Sequence, residues 1–123
     1  MKIELHSSRI LIDEELRQFV RRLVDFGLSR SSDDIEYVRV HVSGSDSPHG
    51  SGDKRCRVQV GLAEIPDVLV ESRDADLYVA IHRALDRCGW IVSRKLAREH
   101  RLVVARMLGP TQLNDRRGRD RAA

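Results

Sequence analysis

Residues 76–101 read DLYVAIHRALDRCGWIVSRKLAREHR, and this stretch decides the fold. Its apolar residues recur every three or four positions, which predicts a long amphipathic helix that begins near Asp76 and passes Arg101 toward Met107. Gly89 is a weak point, because glycine inside a helix costs up to about 1 kcal/mol relative to alanine. The predicted buried side comprises Leu77, Ala80, Ile81, Ala84, Leu85, Cys88, Ile91, Val92 and Leu96.

The same helix carries a row of basic side chains on one flank of its buried side. Consecutive members are three or four residues apart, so they share one ridge, and we expect the first helix of the chain to lie beside it. Arginine binds phosphate in a bidentate manner and an indole can stack on a base, so this arginine row predicts a contact with RNA. The alternative is an ordinary solvated helix surface. The arginine row comprises Arg83, Arg87, Trp90, Arg94, Arg98 and Arg101.

The rest of the chain supplies one more helix and four strands. Alternation of apolar and polar residues predicts the strands, and helical spacing after Asp13 predicts the helix. A turn is predicted at Pro66 and Asp67. The elements are a strand over residues 2–6, a helix over 13–27, a loop over 28–34, strands over 35–42, 55–60 and 68–72, and the helix from Asp76. This β-α-β-β-β-α order predicts an α+β fold, a four-stranded sheet with two helices packed on one face.

Length and composition favour one domain. The chain has 123 residues, enough for a single core but cramped for two. We therefore expect a domain over residues 1–109. Beyond it, residues 110–123 contain four arginines among small and polar residues and are predicted to form a disordered basic tail.

Several function classes are disfavoured by what the sequence lacks. Cys56 and Cys88 form no CxxC pair, and the five histidines show no metal-ligand spacing, so neither a metal nor another cofactor is expected. No glycine-rich phosphate loop or nucleophile motif is visible, so the chain is not expected to be an enzyme. No segment has the length of a membrane span or a signal core, which predicts a cytoplasmic protein without a membrane or small-molecule partner.

Residues 1–101 resemble the ribosome hibernation factors, which include hibernation-promoting factor and ribosome-associated inhibitor A and are also called sigma-factor modulation proteins. The most specific match is residues 76–81, DLYVAI, which is similar to the family's Asp-Met-Tyr-Ala-Ala-Ile helix opening. A second match lies at the start of the first helix, in Ile10, Ile12, Glu14, Leu16, Arg17, Phe19 and Val20. The short stretch after Pro110 makes the chain similar to the family's short form.

The resemblance implies a non-catalytic inhibitor of translation that acts by occupancy. Members of the family bind the small ribosomal subunit between head and body, where they overlap the paths of messenger RNA and of transfer RNA in the A and P sites. The basic helix positions that match the family are Arg87, Arg94, Lys95 and Arg98, with Arg21 or Arg22 on the first helix. The implied partner is thus small-subunit rRNA.

Two other functions remain open from the residues themselves. One is a general module for double-stranded RNA, because a sheet flanked by helices also serves that purpose. The other is a protein-interaction domain that modulates a transcription factor, with the arginines on an acidic partner surface. Lys54, Arg55 and Arg57 are interpreted as the ordinary charged residues of a solvated strand face.

Overall fold

The computed structural model describes residues 1–44 and 53–109 of the chain. The predicted order of strands and helices is confirmed, and the loop predicted over residues 28–34 is mostly a short 3₁₀ helix. The elements are β1 (Lys2–Ser8), α1 (Glu14–Leu28), the 3₁₀ helix (Ser29–Asp34), β2 (Ile35–Gly44), β3 (Lys54–Leu62), β4 (Ile65–Asp74) and α2 (Leu77–Leu108).

The four strands form one mixed sheet in the order β1-β2-β3-β4. β1 pairs with β2 in parallel, and the other two pairs are antiparallel. Alternate side chains of each strand point to opposite faces of the sheet. One face is therefore apolar and buried, and the other carries polar and charged side chains. The fully buried residues of β2 and β3 on the apolar face are Val38, Val40, Val42, Cys56, Val58 and Val60.

Two compact units divide the chain, one over Met1–Val92 and one over Ser93–Ala123. The buried core belongs to the first unit, since every buried apolar residue described lies at or before Val92. In the second unit, the end of α2 exposes Leu102, Val103 and Met107 to solvent. The expectation of one domain over residues 1–109 stays a prediction, and the predicted tail lies outside the described residues.

α1 begins where the sequence predicts because Asp13 caps it. The Asp13 carboxylate accepts a hydrogen bond of 2.8 Å from the backbone N–H of Leu16, which satisfies one of the free donors of the first turn. Glu14 and Glu15 follow and place negative charge at the positive end of the helix dipole. The buried side of α1 consists of Leu16, Val20, Val24 and Leu28.

α1 and α2 contact each other within the first unit. The rings of Phe19 and Tyr78 meet edge to face, with centroids 4.7 Å apart. Farther along, the backbones approach so closely that a Cβ atom on Gly89 would lie 2.8 Å from the carbonyl oxygen of Gly27. Gly89, a weakness when the helix is considered alone, is therefore required by the packing of the two helices.

The turn between β3 and β4 lies earlier than predicted. The sequence predicts it at Pro66 and Asp67, but the chain reverses at Ala63 and Glu64, where Glu64 has a φ of 65°. Pro66 instead lies inside β4, which is an edge strand. An edge strand tolerates proline because its outer N–H groups need no partner in the sheet.

Candidate nucleic-acid interface

Arg83 is the first member of the arginine row, and it is paired with a carboxylate. Its Nη1 atom lies 3.1 Å from Oδ2 of Asp74, the last residue of β4, although the arginine side chain is 58% exposed. Asp74 also accepts a hydrogen bond from the backbone N–H of Asp76, which holds the carboxylate at the start of α2. The charge of Arg83 is thus partly compensated by its own fold, which makes it a weaker candidate for RNA contact than the sequence suggests.

Arg87 and Trp90 are the remaining members of the row in the first unit, and both are exposed. α1 contacts α2 on the side of Tyr78 and Gly89. At 3.6 residues per turn, Arg87 and Trp90 lie about 160° and about 100° around the helix from Gly89. The expectation that α1 borders the arginine row is therefore wrong in this unit, because these side chains point away from α1.

The second unit carries Arg94, Arg98 and Arg101, all exposed and three or four residues apart on one side of α2. Lys95 is half-buried. Among the described residues, no salt bridge involves Arg87, Arg98 or Arg101. These guanidinium groups are available to an external anion.

The two arginines predicted on α1 do not share one surface. Arg21 lines a depression of about 190 Å³ between α1 and the edge strand β1, together with Arg17, Ile3 and Leu5. Arg22 is exposed and lies about 100° further around the helix. α1 thus directs cationic groups to two sides: Arg21 and Arg17 face the β1 edge, and Arg22 lies on another side.

One half of the exposed sheet face is a hydrogen-bonded network with balanced charge. The Tyr37 hydroxyl and the Gln59 amide donate to the same Asp67 oxygen, at 2.7 and 2.9 Å. The hydrogen bond from Tyr37 lowers the pKa of Asp67, and the same bond raises the pKa of Tyr37. Beside it, Arg39 donates to Glu4 at 3.0 Å and thereby lowers the pKa of that carboxyl.

The other half of this face holds a cluster that the sequence interpretation missed. Arg55, Arg57 and Arg73 all approach one carboxylate, that of Glu71. The arginines come from two strands, and alternation in each strand is the only signal in the sequence. Which carboxylate they share depends on the register between β3 and β4, and the sequence pattern does not reveal that register.

The two cysteines do not offer chemistry to this surface. Cys56 and Cys88 are fully buried in the core, and burial raises the pKa of each thiol to about 12. Thiols of this kind are protonated at neutral pH and are poor nucleophiles and poor metal ligands. Among residues 1–44 and 53–109, no helix has the length and apolar character needed to span a membrane.

Residues 3–100 match the family described as sigma 54 modulation protein / S30EA ribosomal protein. The crystal structure of the Thermus thermophilus Protein Y N-terminal domain is similar, with 31% identity, a TM-score of 0.64, and coverage of 76% of this chain and 98% of that domain. A ribosomal subunit interface protein from Coxiella burnetii has the same fold, with 16% identity, a TM-score of 0.64, and coverage of 79% and 99%. None of the curated proteins matches the chain significantly.

A four-stranded mixed sheet with two helices, in the order β-α-β-β-β-α, defines the class, an α+β domain. The chain belongs to the sigma 54 modulation protein / S30EA ribosomal protein family. The resemblance noted at the opening of α2 is therefore confirmed.

Proposed function

We propose that this chain is a ribosome hibernation factor that binds the small ribosomal subunit in the channel used by messenger RNA and by transfer RNA in the A and P sites. The observation that carries the proposal is the set of exposed arginines on α2 that have no carboxylate partner among the described residues, namely Arg87 in the first unit and Arg98 and Arg101 in the second. Family membership supports a ribosomal partner.

Inhibition follows from occupancy, without a chemical step. Guanidinium groups of α2 bind rRNA phosphates, each unit through its own arginines, and in the first unit the sheet and α1 hold the N-terminal part of α2 in place. Messenger RNA and transfer RNA are then excluded because the folded domain fills the space they need. This function requires no metal or cofactor and places the protein in the cytoplasm with the ribosomes.

Co-sedimentation with purified small subunits tests this function directly. We expect binding that weakens steeply with salt, because each phosphate contact releases counterions. The double variant Arg87→Glu/Arg98→Glu should lose binding by at least about tenfold, since each lost charged contact is worth roughly 1 kcal/mol or more. Its stability should change by no more than about 0.5 kcal/mol, because both side chains are exposed.

A matched control is Arg83→Glu, because this arginine already has Asp74 as its partner and should contribute less. Saturating transfer RNA and messenger RNA should displace the wild-type protein from the subunit. Folded protein that does not sediment with small subunits at low salt would contradict the proposal. Equal affinity for naked duplex RNA would indicate a general double-stranded RNA module instead.

A further inference from the structure

The exposed face of the sheet carries an excess of positive charge around Glu71. Arg55 Nη1 lies 3.8 Å from one oxygen of this carboxylate, Arg57 Nη2 lies 3.5 Å from the other, and Arg73 Nε lies 3.4 Å from the first. Three guanidinium groups thus share one carboxylate, and two positive charges are left uncompensated within the cluster. We call these four residues the Glu71 cluster.

The strand register places like charges opposite each other, and this repulsion lowers the stability of the sheet unless an anion binds there. Arg55 and Arg73 are direct cross-strand partners in β3 and β4, and like charges in that position destabilise a sheet. Arg57 is the cross-strand partner of Glu71, so only one of the three arginines faces the carboxylate directly. A second negative group placed over the cluster would relieve the remaining repulsion.

The contacts within the cluster are long enough for an external anion to compete. All three N–O distances are 3.4 Å or more, beyond the usual 2.7–2.9 Å of a charged hydrogen bond. The side chains of Arg55, Arg57 and Arg73 are 40%, 50% and 64% exposed. N–H donors of the three guanidinium groups are therefore exposed to solvent, while the contacts with Glu71 limit how the groups are oriented.

The rest of the same face shows that this excess is local. Arg39 donates to Glu4 at 3.0 Å, this carboxylate also lies 3.7 Å from Lys2 Nζ, and the Arg39 guanidinium lies 4.9 Å from the ring centroid of Tyr37. Two cations, Lys2 and Arg39, are thus matched there by two carboxylates, Glu4 and Asp67. Asp67 is satisfied by two hydrogen bonds from its neighbours. Charge on the exposed face is thus balanced at one end and strongly positive at the end formed by the Glu71 cluster.

We infer that the Glu71 cluster is a second RNA-binding site, which takes a phosphate group of an RNA backbone on the sheet face opposite the helices. A phosphodiester fits because arginine donors bind phosphate in a bidentate manner and because RNA presents repeated single charges. A protein partner fits less well, since the cores of protein interfaces are depleted in charge and this cluster contains no apolar anchor. The inference rests on the proposed function for the identity of the polyanion.

This site would give the first unit cationic groups on both of its faces, with Arg87 on the helical side and the Glu71 cluster on the sheet side. A domain with that distribution can contact two RNA segments at once, as a channel walled by rRNA requires. A module that reads one duplex with its helices would have no need of the second site.

The test uses the full-length chain and two probes, purified small ribosomal subunits and a fluorescent 20-base-pair RNA hairpin. Arg55→Gln/Arg57→Gln removes two cations and leaves Arg73 paired with Glu71. We expect the slope of log affinity against log salt to fall in magnitude by about 0.9 for this variant, because the cluster's phosphate contact is lost. Glu71→Gln should tighten binding to both probes, because it removes the only negative charge of the cluster.

Arg39→Gln is the control, an arginine on the same face at the end where Lys2 and Arg39 are matched by Glu4 and Asp67. It should leave the salt slope unchanged, and thermal unfolding of every variant verifies that the sheet is intact. Unchanged binding and slope for Arg55→Gln/Arg57→Gln, in a folded variant, would overturn the inference. In a separate control with poly-glutamate, loss of binding to this acidic polypeptide without loss of binding to RNA would also overturn the inference and would assign the cluster to an acidic protein.

The two proposals fail in different ways. If the wild-type protein binds small subunits and the double variant binds equally well, the second site is refuted and the proposed function stands. If the wild type binds the hairpin through the cluster but does not bind small subunits, the proposed function is refuted and the cluster remains an RNA site. Absence of binding to both probes refutes both.

Discussion

At the scale of single residues, Gly89 lowers the stability of its helix considered alone but is required by the packing of the folded domain. A glycine lowers the stability of an isolated helix, yet a Cβ atom here would lie 2.8 Å from the Gly27 carbonyl oxygen. Gly27 is the informative neighbour, because a Cβ atom on it would find its nearest contact, the Leu85 carbonyl oxygen, at an ordinary 3.9 Å. The two glycines of one contact therefore differ in whether they can be replaced.

We expect Gly89→Ala to lower the free energy of unfolding and Gly27→Ala to leave it unchanged or raise it. Overpacking costs about 1–3 kcal/mol, which exceeds the gain in helix propensity of up to about 1 kcal/mol. Gly27→Ala receives that gain without the clash. Urea denaturation of both variants measures the difference, and equal stability of the two would show that the helices separate without penalty.

At the scale of elements, α1 depends on a cap that is outside its own apolar pattern. The carboxylate of Asp13 accepts from the Leu16 N–H at 2.8 Å, and four buried residues of α1 then pack in the core. The cap and the buried side together fix where the helix begins and which way it faces.

Asp13→Ala should destabilise the protein by about 1 kcal/mol, because an N-cap side chain is lost. Asp25→Ala serves as the control, an exposed acidic residue in the C-terminal half of the same helix, where removal of negative charge does not oppose the helix dipole. Thermal unfolding compares the two. A loss of the same size in both variants would mean that the Asp13 cap contributes nothing beyond what any exposed aspartate of this helix contributes.

At the scale of the whole molecule, the first unit is a closed core with charge on both sides of it. Cys56 on β3 and Cys88 on α2 both lie in that core and are fully buried. Since they belong to the sheet and to a helix, their exposure requires that the two layers separate. The reactivity of the two thiols therefore measures global unfolding of the first unit.

Both thiols should resist an aromatic disulfide reagent at pH 8 in the folded protein and react fully in denaturant. Burial excludes the reagent, and a pKa of about 12 keeps the thiolate population negligible. The native labelling rate should follow the unfolding equilibrium as denaturant is added. Rapid labelling in buffer, resolved by the single variants Cys56→Ala and Cys88→Ala, would show local opening around one of them.

Hydrophobic periodicity in the sequence by itself determined the order of elements, the buried side of α2 and most members of the candidate interface. This is possible because helix and strand spacing are local properties, visible within a few residues. The exposed Arg87, Arg98 and Arg101 follow from the same spacing. Resemblance at residues 76–81 then identified the family.

Only the tertiary structure decided which charges meet. Arg83 forms a salt bridge with Asp74, and three strand arginines form salt bridges with Glu71. α1 packs against Gly89, on a side of α2 away from Arg87. Each of these contacts depends on strand register or helix docking, which are set by the packing of the whole core. Local spacing places a side chain on a face, but the partner across that face comes from elsewhere in the chain.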